Sequence, residues 1–214
     1  MNLDQPAAQV PRSILDRLEG EQTLGPGGKR CLSELRDILP LCETPDDLLM
    51  WGAVALALVS AAEGNHGVGA VVACGGEPIA EGRNQAFVPR WRTAWHAESV
   101  ALDVLESLTG MPPAVDLTLY TSLECCPMCT VRLINSGIGR VVYAAKDDAC
   151  GALGNFDRMP PGYVRMASDR KRPLKIEACG SASPLGRLAA DVFALNAEVL
   201  DALTLDRTKE RCCS

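Results

Sequence analysis

The sequence predicts an α/β fold, a three-layer α/β/α sandwich around a mixed five-stranded sheet. Two short β-rich runs, residues 68–74 and 78–82, flank Gly75 and Gly76 and read as a hairpin. Residues 116–145 then run strand, helix, strand, the pattern of a right-handed crossover with parallel strands. A hairpin joined to such a crossover makes the sheet mixed, and the interleaved helical segments cover both of its faces.

At 214 residues the chain suits one ordinary domain with extensions rather than two full domains. Residues 1–43 read as an N-terminal helical extension, with helical patterns around Ile14–Leu18 and Leu32–Leu41 split by Gly25, Pro26, Gly27 and Gly28. The catalytic domain is expected over 44–204, with core motifs in 46–156, a C-terminal strand and helix in 174–203, and a flexible tail at 205–214. Thr44 suits an N-cap and Pro45 the first position of a helix over 45–63, whose positive end Asp46 and Asp47 complement. Its apolar stretch, Leu48 to Ala62, falls short of the about 20 residues of a membrane span and has acids at both ends, so a buried helix and no membrane are expected.

From His96, Val100, Ala101, Val104, Leu105 and Leu108 recur at helical spacing up to Gly110, with Pro112 and Pro113 beyond. Residues 116–123 form a strand, Pro127–Ser136 a helix closed by Gly137, Arg140–Ala145 a strand, and Leu174–Gly180 a fifth strand. Pro184–Leu203 reads as one amphipathic helix capped by Ser183, with Leu188, Val192, Leu195, Val199 and Leu203 on one stripe.

Composition narrows the setting. The N-terminal residues Met1 to Val10 carry no basic start or apolar run of the signal-peptide kind, so ten cysteines point to a reducing cytoplasm rather than to disulfides. Cys31, Cys42, Cys74, Cys150 and Cys179 read as small buried or half-buried hydrophobes. Cys212 and Cys213 end the chain too late for a CaaX box and are expected to be frayed. A net charge of −6 and a pI near 5.0 lack the basic footprint of a protein that tracks a phosphate backbone. Arg165, Arg170, Lys171, Arg172 and Lys175 form a local basic cluster, read either as solvated surface or as a contact for a substrate phosphate.

Chemistry concentrates in two motifs. His96 and Glu98 stand two apart, and Cys126 and Cys129 follow thirty residues later as a CxxC pair. One imidazole and two thiolates make three ligands of a tetrahedral Zn²⁺, which leaves the fourth position open for water, the mark of a catalytic site. Glu98 is not needed as a ligand, so beside the metal it serves as a base that takes the proton of that water and passes it to a substrate. Each motif opens a helix. Alone, CxxC would also suit redox chemistry or structural zinc. His66 as a fourth ligand would close the open position and is read as a loop histidine.

At these residues the chain resembles the zinc-dependent cytidine and deoxycytidylate deaminase superfamily. The likeness runs from about Asp46 to Phe156 and includes "VGAVV", "EGRN", "HAE", "ECCPMC" and "IGRVVYAAKDDACGALG". It is nearest the branch of tRNA adenosine deaminases, guanine deaminases and fungal-type cytosine deaminases. The resemblance implies a cytidine deaminase-like fold, a homodimer, zinc at His96, Cys126 and Cys129, Glu98 as proton shuttle, Asn84 as a substrate hydrogen-bonding group, and Ala97 near the base edge. There are two departures. Cys125 replaces the proline usual before the first ligand cysteine, and Trp91 to Trp95 replaces an Asp-Pro-Thr run before the HAE motif.

Asn84 suits a turn cap as well as a substrate contact. Trp91 and Trp95 are either packing anchors or stacking walls for an aromatic substrate. The expected reaction is hydrolytic deamination of a nucleobase, nucleoside or related small aminoheterocycle, exchanging an amino group for a carbonyl with release of ammonia. An RNA- or DNA-editing deaminase of the tRNA adenosine type is the alternative, and a non-catalytic zinc-binding interaction protein a third reading that the intact Glu98 opposes. Acidic balance favours the small molecule over a nucleic acid. The segment beyond Asn155, through a loop at Pro160, Pro161 and Gly162, is expected to close over the pocket and set ring size.

Overall fold

The computed structural model describes Ile14, Leu18 and residues 24–110, 112–113, 116–170, 173–179 and 183–209. Its five strands are β1 (Gly69–Cys74), β2 (Glu77–Arg83), β3 (Leu117–Leu123), β4 (Arg140–Ala145) and β5 (Lys175–Ala178), in the order β2-β1-β3-β4-β5. β1 is antiparallel to β2 and β3, whereas β3, β4 and β5 run parallel. The helices are α1 (Pro26–Ile38), α2 (Pro45–Ala62), α3 (Ala97–Glu106), α4 (Pro127–Asn135), α5 (Pro161–Ser168), α6 (Pro184–Ala194) and α7 (Ala197–Lys209). This is the mixed α/β sheet that the sequence predicts.

Two glycines show how the layers meet. Neighbouring residues of a strand face opposite sides, and cross-strand partners share a side. Gly82 pairs with Ala70, and a Cβ on Gly82 would overlap the Ala97 carbonyl and the Ala101 amide of α3. Gly69, facing the other way, touches the Ala53 carbonyl and the Ala57 amide of α2 in the same sense. So α2 lies on one face with α6 beside it, and α3 on the other with α4 beside it. Backbone-to-backbone approach at both positions is possible only without a side chain.

α2 is buried along Leu49–Ala61 and forms the centre of its layer. Its start is a capping box: Asp47 N–H donates to Thr44 Oγ1 at 3.2 Å, and Thr44 N–H to the Asp47 carboxylate at 2.9 Å. α2 is long and apolar enough to cross a membrane, yet most of it is buried inside this fold. Arg140 on β4 binds Asp46 at the start of α2 and Glu177 on β5, each at 2.6 Å, which ties the helix to the parallel edge of the sheet.

Three sequence expectations need correction. The pattern at Leu32–Leu41 belongs to a longer helix, α1, closed by a 3-10 turn at Leu39–Leu41. α1 packs on the core: it buries Cys31, Leu32, Leu35 and Ile38, and its Leu35 carbonyl accepts the indole N–H of the fully buried Trp51 at 2.8 Å. The predicted helix at 184–203 is two helices. Asn196, at the break, turns its side chain to donate to the carbonyls of Ala61 and Asn65, satisfying the end of α2 at 2.9 and 2.8 Å. Beyond the break the predicted stripe fails: Leu188 and Val192 are buried, Val199 and Leu203 are exposed, and Leu200 takes the inward position. α7 also continues through Lys209, into the predicted tail. Of the predicted helix at Ile14–Leu18, only those two residues are described, both helical and buried. Cys212 and Cys213 lie outside the described residues.

Gly82→Ala is expected to destabilise the fold by about 1–3 kcal/mol in denaturant unfolding, because its methyl meets backbone that cannot rotate away. Gly162→Ala, whose methyl meets nothing within 4 Å, should stay within about 0.5 kcal/mol of the parent. Equal stability of the two variants would refute the close helix–sheet approach.

Candidate active site

The site forms where two helices begin. His96 is the N-cap of α3 and Cys126 the N-cap of α4, both with extended backbone, and neither side chain caps its own helix. They turn to each other instead: Cys126 Sγ lies 3.6 Å from His96 Nδ1. Cys129, one turn into α4, completes a cluster in which the three ligand atoms are all within 4.8 Å of one another. Pro127 starts α4 without needing an amide partner, so the chain enters the helix directly from the end of β3.

Arg132 holds the two helices together. Its guanidinium donates to the Ser99 carbonyl at 2.9 Å, to Asp103 at 2.6 Å and to Glu106 at 3.0 Å, all on α3. Ser136 adds a bond to Glu106 at 2.8 Å. Behind the cluster, the Ser99 hydroxyl lies 3.9 Å from the Cys129 sulfur.

These residues fit zinc. Zn–S bonds of about 2.3 Å and Zn–N bonds of about 2.0–2.1 Å, set tetrahedrally, separate ligand atoms by roughly 3.5–3.8 Å, and the observed sulfur–nitrogen distance lies in that range. The Cys126 thiol is held well below its ordinary value by the Cys129 thiol and by His96, while the Cys129 thiol is pushed up by Cys126 and by burial. His96 is raised by its contact with Cys126. An imidazole and two thiols in mutual contact form a donor set of the kind that binds a divalent ion with release of protons.

Glu98 is buried in the first turn of α3, and burial raises its carboxyl above the ordinary carboxylate range. Cys125 does not join the ligand cluster. It is fully buried, its side chain meets Glu98, and burial pushes its thiol well up. The three crowded thiols thus divide into two that face His96 and one turned inward.

A cavity of about 230 Å³ opens over His96, Glu98 and Cys126. Asn84 lines it and is nearly fully buried, with its Oδ1 accepting from the Ala86 amide at 3.0 Å. The turn-capping geometry and the cavity position therefore coexist at this residue. Ala97 is fully buried and is not part of the lining. Trp91 and Trp95 are not part of it either. Trp91 packs edge-on against Phe87 at 4.8 Å beneath the Arg207 guanidinium, and Trp95 lies under Arg92 at 3.5 Å. The loop at Pro160–Gly162 begins α5 and stays away from the cavity, contrary to its expected closure. The basic cluster is likewise remote: Arg170 donates to the Ile134 and Ile138 carbonyls at the end of α4, and Lys171 and Arg172 lie outside the described residues.

Other residues line the cavity instead, among them His66, Glu124, Cys150, Phe193 and Asp201. Cys150, expected to be buried or half-buried, is exposed at the rim. Glu124 is buried and accepts the amides of Asp147 at 3.2 Å and Gly154 at 2.6 Å, which fixes the loop over the sheet end. Gly151 lets that loop press on the carboxyl, since any Cβ there would overlap it. The acidic residue before CxxC signals this role in the sequence. Phe193 and Asp201 carry no such local signal, being more than sixty residues beyond the motif.

Residues 43–145 match the description of the cytidine and deoxycytidylate deaminase zinc-binding region. The chain is 38% identical over 120 residues to a tRNA(Ile)-lysidine synthase of Deinococcus radiodurans, covering 56% of this chain but only 20% of that protein. It is 33% identical over 113 residues to a tRNA-specific adenosine deaminase of Bacillus subtilis, covering 53% of this chain and 70% of that one. Among solved structures, a guanine deaminase of Nitrosomonas europaea is similar at 27% identity with a TM-score of 0.52, over 72% of this chain and 85% of that chain. With its ligand cluster, its buried glutamate and these relatives, the chain belongs to the zinc-dependent cytidine and deoxycytidylate deaminase family.

Proposed function

We propose that this protein is a hydrolytic deaminase of a small aminoheterocycle, with His96, Cys126 and Cys129 as zinc ligands and Glu98 as the proton-transfer group. The observation that carries this is the buried Glu98 carboxyl beside a three-ligand cluster, at the base of a cavity the size of one ring system. At about 230 Å³ the cavity is smaller than the about 300–1,000 Å³ typical of drug-sized ligand sites. Zinc bound by these ligands supplies a water of lowered pKa. Glu98 would accept one proton from the attacking water and pass it to a ring nitrogen, then accept the proton of the newly added hydroxyl and pass it to the departing amine. Burial, by raising its pKa, suits it to both roles near neutral pH. Overall, ring–NH₂ and H₂O give ring=O and NH₃. Asn84, at the wall, holds the ring by a side-chain hydrogen bond.

Charge supports the small substrate. The titratable lining residues are acids, cysteines and histidines, with no lysine or arginine among them in the described residues, so a phosphate finds no counter-charge at the site. Likeness to a tRNA-specific adenosine deaminase favours a second reading, deamination of a tRNA base. Ammonia release from a panel of free bases, nucleosides, nucleotides and tRNA separates the two. Release from free bases or nucleosides supports the first reading, and release from tRNA alone overturns it.

The same proposal includes a homodimer in a reducing cytoplasm. The described cysteines are all free thiols. Met128 on α4, with Val104 and Leu108 on and after the neighbouring α3, leaves apolar side chains exposed beside the site. Light scattering is expected to give twice 22.8 kDa, and Met128→Glu to shift the protein toward monomer. A monomer for the parent chain at micromolar concentration would count against the dimer.

Zinc analysis is expected to find about one ion per chain, kept in Cys125→Ala and lost in Cys126→Ala and Cys129→Ala. Loss in Cys125→Ala with retention in Cys126→Ala would reverse the ligand assignment. Glu98→Ala should keep both zinc and fold and lose about 10²- to 10⁴-fold in turnover. Near-parental turnover in that variant would sink the proposed mechanism.

A further inference from the structure

The wall of the cavity opposite the ligand cluster comes from the C-terminal helices and the loop before β1. Phe193 on α6 stacks on the His66 ring at 5.6 Å and 21°, and Phe87 closes the imidazole's other side edge-on at 5.2 Å. His66 Nδ1 is buried without a hydrogen-bond partner among the described residues. Its Nε2 looks to Asp201 on α7 at 3.7 Å, an ion-pair distance but too long for a hydrogen bond. Desolvation lowers the pKa of His66, which favours the neutral ring.

Four carboxylates line the cavity, and three are already engaged. Glu98 sits at the base beside the ligand cluster. Glu124 accepts two loop amides, and Asp147 accepts the amides of Ala149 at 3.0 Å and Cys150 at 2.9 Å. Asp201 makes no hydrogen bond among the described residues, and its side chain is 68% exposed, so it stands at the mouth while Glu98, 4% exposed, marks the base.

A ring that presents its amino-bearing carbon to the base of the cavity presents its far edge to the mouth. In a free nucleobase that edge carries the ring N–H, and in a nucleoside the same nitrogen carries the sugar and has no hydrogen. Resting on the deaminase reading above, we propose that Asp201, whose carboxylate stands at the mouth with no hydrogen-bond partner among the described residues, accepts the distal ring N–H and so selects free nucleobases over nucleosides and nucleotides. A carboxylate there gains a charge-assisted hydrogen bond from the free base, loses it with a nucleoside, and repels a nucleotide's phosphate. Phe193 and His66 supply the flat apolar wall against which the ring lies.

The experiment uses the full, zinc-loaded chain. Binding of cytosine, adenine and guanine, each against its nucleoside, is measured by calorimetry on Glu98→Ala, and again with Asp201→Ala or Asp201→Asn added. Ammonia release is followed in parallel with the parent and the Asp201 variants. At least one base should bind about 10- to 100-fold tighter than its nucleoside, and removing the carboxylate should close that gap by weakening the base alone. Equal or tighter binding of the nucleosides, a gap unaffected at Asp201, or no binding of any base overturns the proposal. If the gap is present but the parent releases no ammonia from any base, the recognition role stands and the deaminase reading falls. If bases and nucleosides are deaminated with equal kcat/KM, deamination stands and this inference fails.

Discussion

Everything in the site depends on bringing the first turns of two helices to one point. Residues thirty apart in sequence must deliver a ring nitrogen and two sulfurs into a space a few ångströms wide, and no local interaction does this. Three long-range contacts do. Backbone contact at Gly82 seats α3 on β2, the parallel β3–β4 pairing fixes the point at which the chain leaves β3 for α4, and Arg132 clamps α4 to α3. Neither N-cap residue, His96 or Cys126, makes the usual side-chain cap of its own helix, and the two side chains turn toward each other instead.

The buried acids divide in a related way. Glu124 has its charge met by the amides of the following loop, so it is structural in effect even though it borders the cavity. Glu98, two residues from His96, is buried beside the Cys125 thiol, and burial disfavours its ionised form. A carboxyl left so poised is costly for folding and useful for proton transfer. The contrast between the two glutamates separates an acid that organises a loop from one available to a substrate.

How much of this was legible in the sequence follows from the range of each interaction. Capping, strand alternation and CxxC spacing are local, so Thr44, the hairpin, the parallel crossover and the ligand cluster all appear in the residues themselves. Asn196 was illegible because its partners, the carbonyls of Ala61 in α2 and Asn65 in the turn after it, are distant in sequence, and a continuous helical pattern conceals the break at this residue. His66 looked like a loop residue and is one; only the approach of Phe193 and Asp201 makes it a wall. For Trp91 and Trp95, open in the sequence between packing anchors and stacking walls, the structure favours packing. Proximity to His96 in sequence suggested a stacking role, whereas cation contacts with Arg207 and Arg92 engage both rings away from the cavity.

On the proposed reading the molecule keeps its two tasks on different parts of the chain. The groups proposed to react come from one stretch, 96–129, which the sheet and the Arg132 clamp bring together. The wall facing them comes from elements almost seventy residues later, attached to the sheet through the buried Leu188 and Val192 of α6. Phe193 and Asp201 thus line the cavity from an element whose attachment to the sheet is made by other side chains. A shared ligand motif therefore constrains reaction type strongly and ring choice weakly. The same attachment makes the C-terminal part inseparable from the fold: removing it would strip β5 from the sheet and uncover the layer beside α2, so its contribution to selectivity is separable from its contribution to stability only one side chain at a time.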